Sequence, residues 1–251
     1  MFDTHATYVW MTYLVVINVV IQTFEILTLD KEIEAVWKQD LFRNSFFGFI
    51  FYFGLPPYLY LNLVLCGYLL FSPTSGAAVL MLVIQTLVFL RFRGPLNGGS
   101  DYMTTLVILA LALFSLVKQT NPVGQVALWY VGVQVVLSYF VAGLAKARHR
   151  EWWTGAALKN YLLISNYAVA TPVKKWALGQ GVSKIVSWIV LLFELSFPLC
   201  ILSPKLCLVY ISMAVIFHLT NAYVLGLNRF LFSWVAAYPA LYFLSLQFSK
   251  T

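Results

Sequence analysis

Long apolar runs dominate this chain, and short stretches carrying Gly, Pro, Asn or charge separate them. Eight such runs cover about 7–27, 45–71, 77–92, 101–117, 124–146, 182–203, 206–226 and 229–247. Most are close to the roughly 20 residues that a helix needs to cross the hydrocarbon core of a bilayer. A backbone in lipid must satisfy its own hydrogen bonds, so the runs read as helices. The second contains Pro56-Pro57 and is expected to kink, or to split into an interfacial piece and a span. The turns Ser203-Pro-Lys205 and Gly226-Leu-Asn-Arg229 are short, which makes the last three spans antiparallel neighbours. After span five, Trp152-Trp153-Thr-Gly155 and residues 156–167 read as an aromatic-anchored interfacial helix. The expected fold is all-α: a polytopic transmembrane helical bundle of about eight spans, one membrane domain over residues 1–251. No soluble domain, internal repeat or cleavable signal peptide is expected.

Composition agrees. Hydrophobic residues make up 61% of the 251 and charged residues 10%, against roughly 45–50% and about 25% in soluble domains. Of the 16 basic residues, 13 fall on one side of an eight-span chain. They are Lys31, Lys38, Arg43, Arg91, Arg93, Lys146, Arg148, Arg150, Lys159, Lys174, Lys175, Lys184 and Arg229. The positive-inside rule puts that face in the cytoplasm and both termini outside. A net charge of +7 suits a surface beside anionic lipid, whereas nucleic-acid binding needs a folded basic groove that the sequence does not contain. Cys66, Cys200 and Cys207 lie in or beside apolar runs and read as small packing residues; a Cys200–Cys207 disulfide is an option that nothing demands. His5, His149 and His218 fall in three different elements, so no metal site is expected. The absence of any Asn-x-Ser/Thr sequon fits a bacterial inner membrane.

Polar residues inside apolar runs are costly and therefore informative. Tyr139, Gly143 and Lys146 share one helical face, with the lysine at the end of the span and the glycine allowing close approach. Lys146 reads either as an interfacial anchor or as a base, because desolvation disfavours the charged form of an amine. Glu194, mid-span and without a local cation, is expected to be protonated or paired across helices. His218 and Asn221 share a face of the next span, for helix packing or for orienting a ligand. In the loop before span four, Asn97, Ser100 and Asp101 are expected helix caps, while Gly98 and Gly99 expose backbone N–H groups that suit an oxyanion or carbonyl oxygen.

These segments carry a resemblance. Tyr139-Phe-Val-Ala-Gly-Leu-Ala-Lys146, with Trp153 and Gly155 following, resembles the Tyr-Phe-Ile-Ala-Gly-Val-Lys-Lys…Trp…Gly segment of the vitamin K-dependent γ-carboxylase family. Asn97-Gly-Gly-Ser100 resembles that family's Asn-Asn-His-Ser loop. Phe217-His-x-x-Asn221, with Gly226 and Phe230, is similar to its Phe-His-x-x-Asn…Gly-x-Phe helix. Order and spacing agree over roughly residues 40–245, and the whole looks like the HTTM membrane domain. In the carboxylases a lysine deprotonates vitamin K hydroquinone; oxygen adds, and the resulting alkoxide removes a γ-proton from a peptide glutamate, which captures carbon dioxide. The resemblance implies Lys146 as the base, His218 and Asn221 near the quinol, and a cofactor of the vitamin K or menaquinol type. It also implies a substrate or quinone site drawing on Asn97, Gly98, Gly99, Ser100, Tyr139, Gly143 and Trp153, with Lys146 and His218 as the catalytic pair; Glu194 joins the candidate site on its mid-span position alone.

The chain departs from the family where the first lysine of its pair is Ala145 and the loop histidine is Gly99. It also ends at Thr251, without the large soluble portion of the carboxylases, so propeptide-directed carboxylation is not expected. Three classes follow. One is a quinol-linked, carboxylase-like enzyme modifying a peptide or small molecule. The second is a non-catalytic membrane subunit or maturation factor acting with a membrane or peptide partner. The third is a transporter or lipid-binding protein, which would favour inverted repeats that the sequence does not display. A multi-pass place in the cell membrane is common to all three.

Overall fold

The computed structural model describes residues 3–37, 46–91, 98–117, 122–164, 169, 171–177 and 181–249. Among these the chain is helical apart from short turns and contains no strand. The helices are α1 (Thr4–Trp37), α2 (Phe46–Phe71), α3 (Ala77–Arg91), α4 (Gly99–Leu116), α5 (Pro122–Ala147), α6 (Arg150–Thr154), α7 (Ala156–Ile164), α8 (Thr171–Ala177), α9 (Val182–Ser196), α10 (Pro204–Leu225) and α11 (Asn228–Phe248). A 3-10 segment, Phe197–Leu202, joins α9 to α10. Six stretches are long and apolar enough to cross a membrane: Thr4–Thr28, Gly99–Leu116, Pro122–Ala147, Val182–Leu202, Pro204–Leu225 and Asn228–Phe248. Two shorter apolar helical stretches, Pro57–Phe71 and Ala77–Phe89, accompany them.

The apolar runs of the sequence all became helices, with two differences in extent. α1 continues to Trp37, through residues read from sequence as loop. α2 runs as one element across Pro56 and Pro57. Each proline removes one backbone bond, but breaking the helix there would expose more unpaired groups to an apolar environment.

The chain divides into two compact units. The first comprises Met1–Val131 and Phe232–Pro239; the second comprises Gly132–Leu231 and Ala240–Thr251. In the first, α1 packs on α2 and α4, and α3 packs on α2 and α4. Tyr8, Met11, Val15, Val19 and Ile26 bury one stripe of α1, as a 3.6-residue period requires. Within that stripe sits a polar seam. Asn18 Nδ2 donates to Thr104 Oγ1 at 2.6 Å, Thr104 Oγ1 lies 3.0 Å from Ser233 Oγ, and Gln22 Nε2 donates to Asp101 Oδ1 at 3.2 Å. Tyr8 donates to the carbonyl of Gly124 at 2.7 Å and stacks on Phe114. Buried polar atoms joined across helices hold register between otherwise interchangeable apolar faces.

The second unit is built on tight turns. Pro198 cannot donate back to the Glu194 carbonyl, so the Phe197 N–H takes that acceptor and α9 tightens into the 3-10 segment. Ser203 caps α10, accepting from the Leu206 N–H, with Pro204 in the first turn. Gly226, at φ 72°, ends it. Cys200 and Cys207 flank this turn as buried free thiols. Gly132 seats α5 on α11: an added Cβ would lie 3.0 Å from the Ala240 carbonyl and 3.1 Å from Leu244 Cβ. Gly132→Ala should therefore cost roughly 1–3 kcal/mol by overpacking, outweighing a helix-propensity gain of up to about 1 kcal/mol. Gly67→Ala, where nothing lies within 4 Å, should keep that gain. Thermal unfolding in detergent should show Tm falling for the first and holding or rising for the second.

Candidate functional site

The site in the second unit starts from a glycine. At Gly143 an added Cβ would lie 2.9 Å from the Leu195 backbone nitrogen and 3.0 Å from Glu194 Cβ. Only a residue without a side chain lets α5 and α9 approach this closely. One turn further along α5, Lys146 reaches across, and its Nζ donates to both carboxylate oxygens of Glu194, each at 2.7 Å. The Glu194 side chain is 3% exposed and that of Lys146 22%. The same ammonium lies over the ring of Trp152, 5.3 Å from its centroid. Glu194 thus has the cross-helix partner its mid-span position called for. Leaving either charge alone there would be strongly destabilising.

Lys146 also lines a cavity of about 610 Å³, within the range of small-molecule sites. Its walls are mostly apolar. Val186, Ile189, Val190 and Phe193 supply one stripe from α9, and Met213, Ile216, Phe217, Thr220, Asn221 and Val224 supply one from α10. Both follow helical spacing. Leu158, Tyr161, Leu162, Val173 and Trp176 from α7 and α8 complete it. Ile189 and Ile216 are also more than half exposed, so the cavity is open along these residues of the candidate spans. Among its lining residues Lys146, Trp152, Tyr161, Trp176, Thr220 and Asn221 carry polar side-chain atoms, which suits a mostly apolar molecule with a few polar groups.

Short elements around the cavity are pinned in place. Trp153 Nε1 donates to the Ala147 carbonyl at 2.7 Å, one of the acceptors left open at the end of α5. Trp188 Nε1 donates to the Trp153 carbonyl at 3.2 Å, and the two indoles meet edge to face. Gly155, at φ 81°, turns the chain from α6 into α7. An added Cβ there would sit 2.4 Å from the Lys184 backbone nitrogen.

A second polar pair lies deeper. Tyr139 Oη and His218 Nε2 are 2.6 Å apart, and both residues are buried. Phe197 stacks on Tyr139, and Phe193 meets it edge to face. Neither Tyr139 nor His218 lines the cavity; Asn221, one turn from His218, does.

The residues singled out from sequence therefore separate. Gly143, Lys146 and Glu194 form one cluster and Tyr139 and His218 another, while Asn221 faces the cavity. Trp153, expected to contact substrate, uses its indole N–H to close α5; its neighbour Trp152 lines the cavity and covers the lysine. The sequence places Trp152 in the aromatic-anchored interfacial segment but not among the site residues. Gly98, Gly99 and Ser100 belong to the first unit, and Asn97 lies outside the described residues. The capping role expected of Ser100 and Asp101 is corrected. Gly98, at φ 49°, is the N-cap of α4, while both residues are buried in the first turn and Asp101 accepts from Gln22. Arg229, read as a loop cation, is 1% exposed in the first turn of α11.

Residues 107–247, more than half of the chain, match the family model of the HTTM domain. No curated protein and no solved structure matches the chain.

Gly155→Ala combines a positive φ with a backbone clash, so it should lose more than the roughly 1–2 kcal/mol of the left-handed conformation alone. Limited proteolysis should then cut first near α6 and α7, and a pattern like wild type would contradict this account of the pinned cap.

Proposed function

The chain belongs to the HTTM family of membrane proteins, and on that premise we propose that it is a quinol-linked enzyme using Lys146 as its base. The observation that carries the reading is that Lys146 lines a mostly apolar cavity, open along exposed residues of candidate spans. A lipid-soluble quinol suits it chemically. Its ring and hydroxyls match Lys146, Trp152, Thr220 and Asn221, and its prenyl tail matches the stripes of α9 and α10. Lys146 takes a proton from a quinol hydroxyl; Trp152 and Asn221 orient the ring, and the apolar walls exclude water from the exchange. Tyr139 and His218 hold α5 against α10 behind this centre. The acceptor is a peptide or small molecule of a kind that carboxylase-like chemistry modifies.

In this reading α2 and α3 complete eight crossings, and α6, α7 and α8 lie at the interface beside Lys146. The charge bias favours the cytoplasmic face for that interface, and the absence of Asn-x-Ser/Thr sequons fits a bacterial inner membrane. A protein binding its quinone without turnover, as a subunit or maturation factor beside a partner, is the competing reading, and one experiment separates them. Purified protein in nanodiscs, given reduced vitamin K or menaquinol and oxygen, should form quinone epoxide. Lys146→Ala should lower the rate at least about 100-fold, the usual scale for a general base. Its quinone binding, followed by tryptophan quenching, should persist. Epoxide formation unchanged in Lys146→Ala contradicts the assigned base, and binding without epoxide favours the non-catalytic reading.

A further inference from the structure

The lysine found here is not yet a base. Its Nζ donates to both oxygens of one carboxylate at 2.7 Å, the geometry of an ammonium against a carboxylate. An ammonium has three donors and no lone pair, so the group must lose a proton before it can accept one from a substrate. We propose that Glu194 is the acceptor of that proton, and that filling the cavity with an apolar ligand drives the transfer. The inference rests on the quinol reading of the same site and adds a positioning residue and a trigger to it.

Three observations support it. Glu194 is already in contact, so no other carrier is needed. The two partners differ in surroundings: the carboxylate is 3% exposed, whereas the lysine is 22% exposed and lines the cavity. Water reaching the cavity end of Lys146 stabilises the ionic pair. An apolar ligand displaces that water, and two opposite charges in a dry site lose solvation that a neutral hydrogen-bonded amine and carboxylic acid do not need. Finally, the pair cannot relieve the cost by parting, because the close contact at Gly143 holds α5 and α9 together. The proton moves instead of the side chains. One N–H bond of Lys146 breaks and one O–H bond forms on Glu194, with no change in total charge. The amine lone pair at first accepts the new O–H of Glu194, and it becomes available to a substrate proton when that hydrogen bond is exchanged.

Isotope-edited infrared difference spectroscopy tests this directly. Protein carrying carboxyl-labelled glutamate is placed in nanodiscs, with vitamin K quinone as the apolar probe and tryptophan quenching as the report of occupancy. Adding the probe should produce the carbonyl band of a protonated, labelled carboxyl group, and Glu194→Gln should abolish that band. Lys146→Met, which removes the cation, should show the band before any probe is added; this arm stands even where Glu194→Gln does not fold. Quenching without the band in wild type overturns the proposal and leaves the quinone reading intact, as does a band that survives in Glu194→Gln. No quenching overturns the quinone reading, and the proposal with it.

Discussion

The contact between Lys146 and Glu194 is the constraint on which the second unit depends. Two charges in an apolar helical setting are tolerated only together, so their pairing fixes how α5 and α9 meet. Gly143 makes the meeting close enough, and Pro198 ends α9 one turn beyond the glutamate. α10 then returns along the far side of the cavity. The lysine that neutralises Glu194 is thus the same residue that brings a cation to a mostly apolar cavity. A structural requirement and a chemical opportunity coincide in one side chain.

The first unit is joined by a polar seam. Asn18, Gln22, Thr104 and Ser233 link α1, α4 and α11 by hydrogen bonds. Such bonds add modest stability in lipid, averaging about 0.6 kcal/mol each where measured. Their larger effect is to choose one register among similar apolar faces. Asp101 takes part, accepting from Gln22, and so a residue that resembles a helix cap in sequence is a packing residue in the fold.

What could be read in advance followed from the solvent. Apolar runs of span length reveal helices, because lipid leaves the backbone no alternative, and the tight turns at Ser203 and Gly226 are local chemistry. Glu194 announced a partner by being charged in an apolar run. Its identity was not legible, because residues 146 and 194 meet only through the packing of α5 on α9. The same limit applies to Trp152 and Trp153. Adjacent tryptophans look alike in sequence, and only the open carbonyl of Ala147 decides which one closes a helix and which one faces the cavity. Arg229, counted from sequence with the short turn before the last span, is buried by the fold in the first turn of α11.

A double-mutant cycle on Lys146→Met and Glu194→Gln, measured by reversible unfolding in detergent, tests the central claim most directly. The account predicts that the two losses are far from additive, with a coupling of roughly 1–3 kcal/mol and a double variant more stable than the sum of the singles allows. Additivity within about 0.5 kcal/mol would mean that the two residues do not depend on each other in the folded protein. The pair would then organise neither the helices nor the cavity.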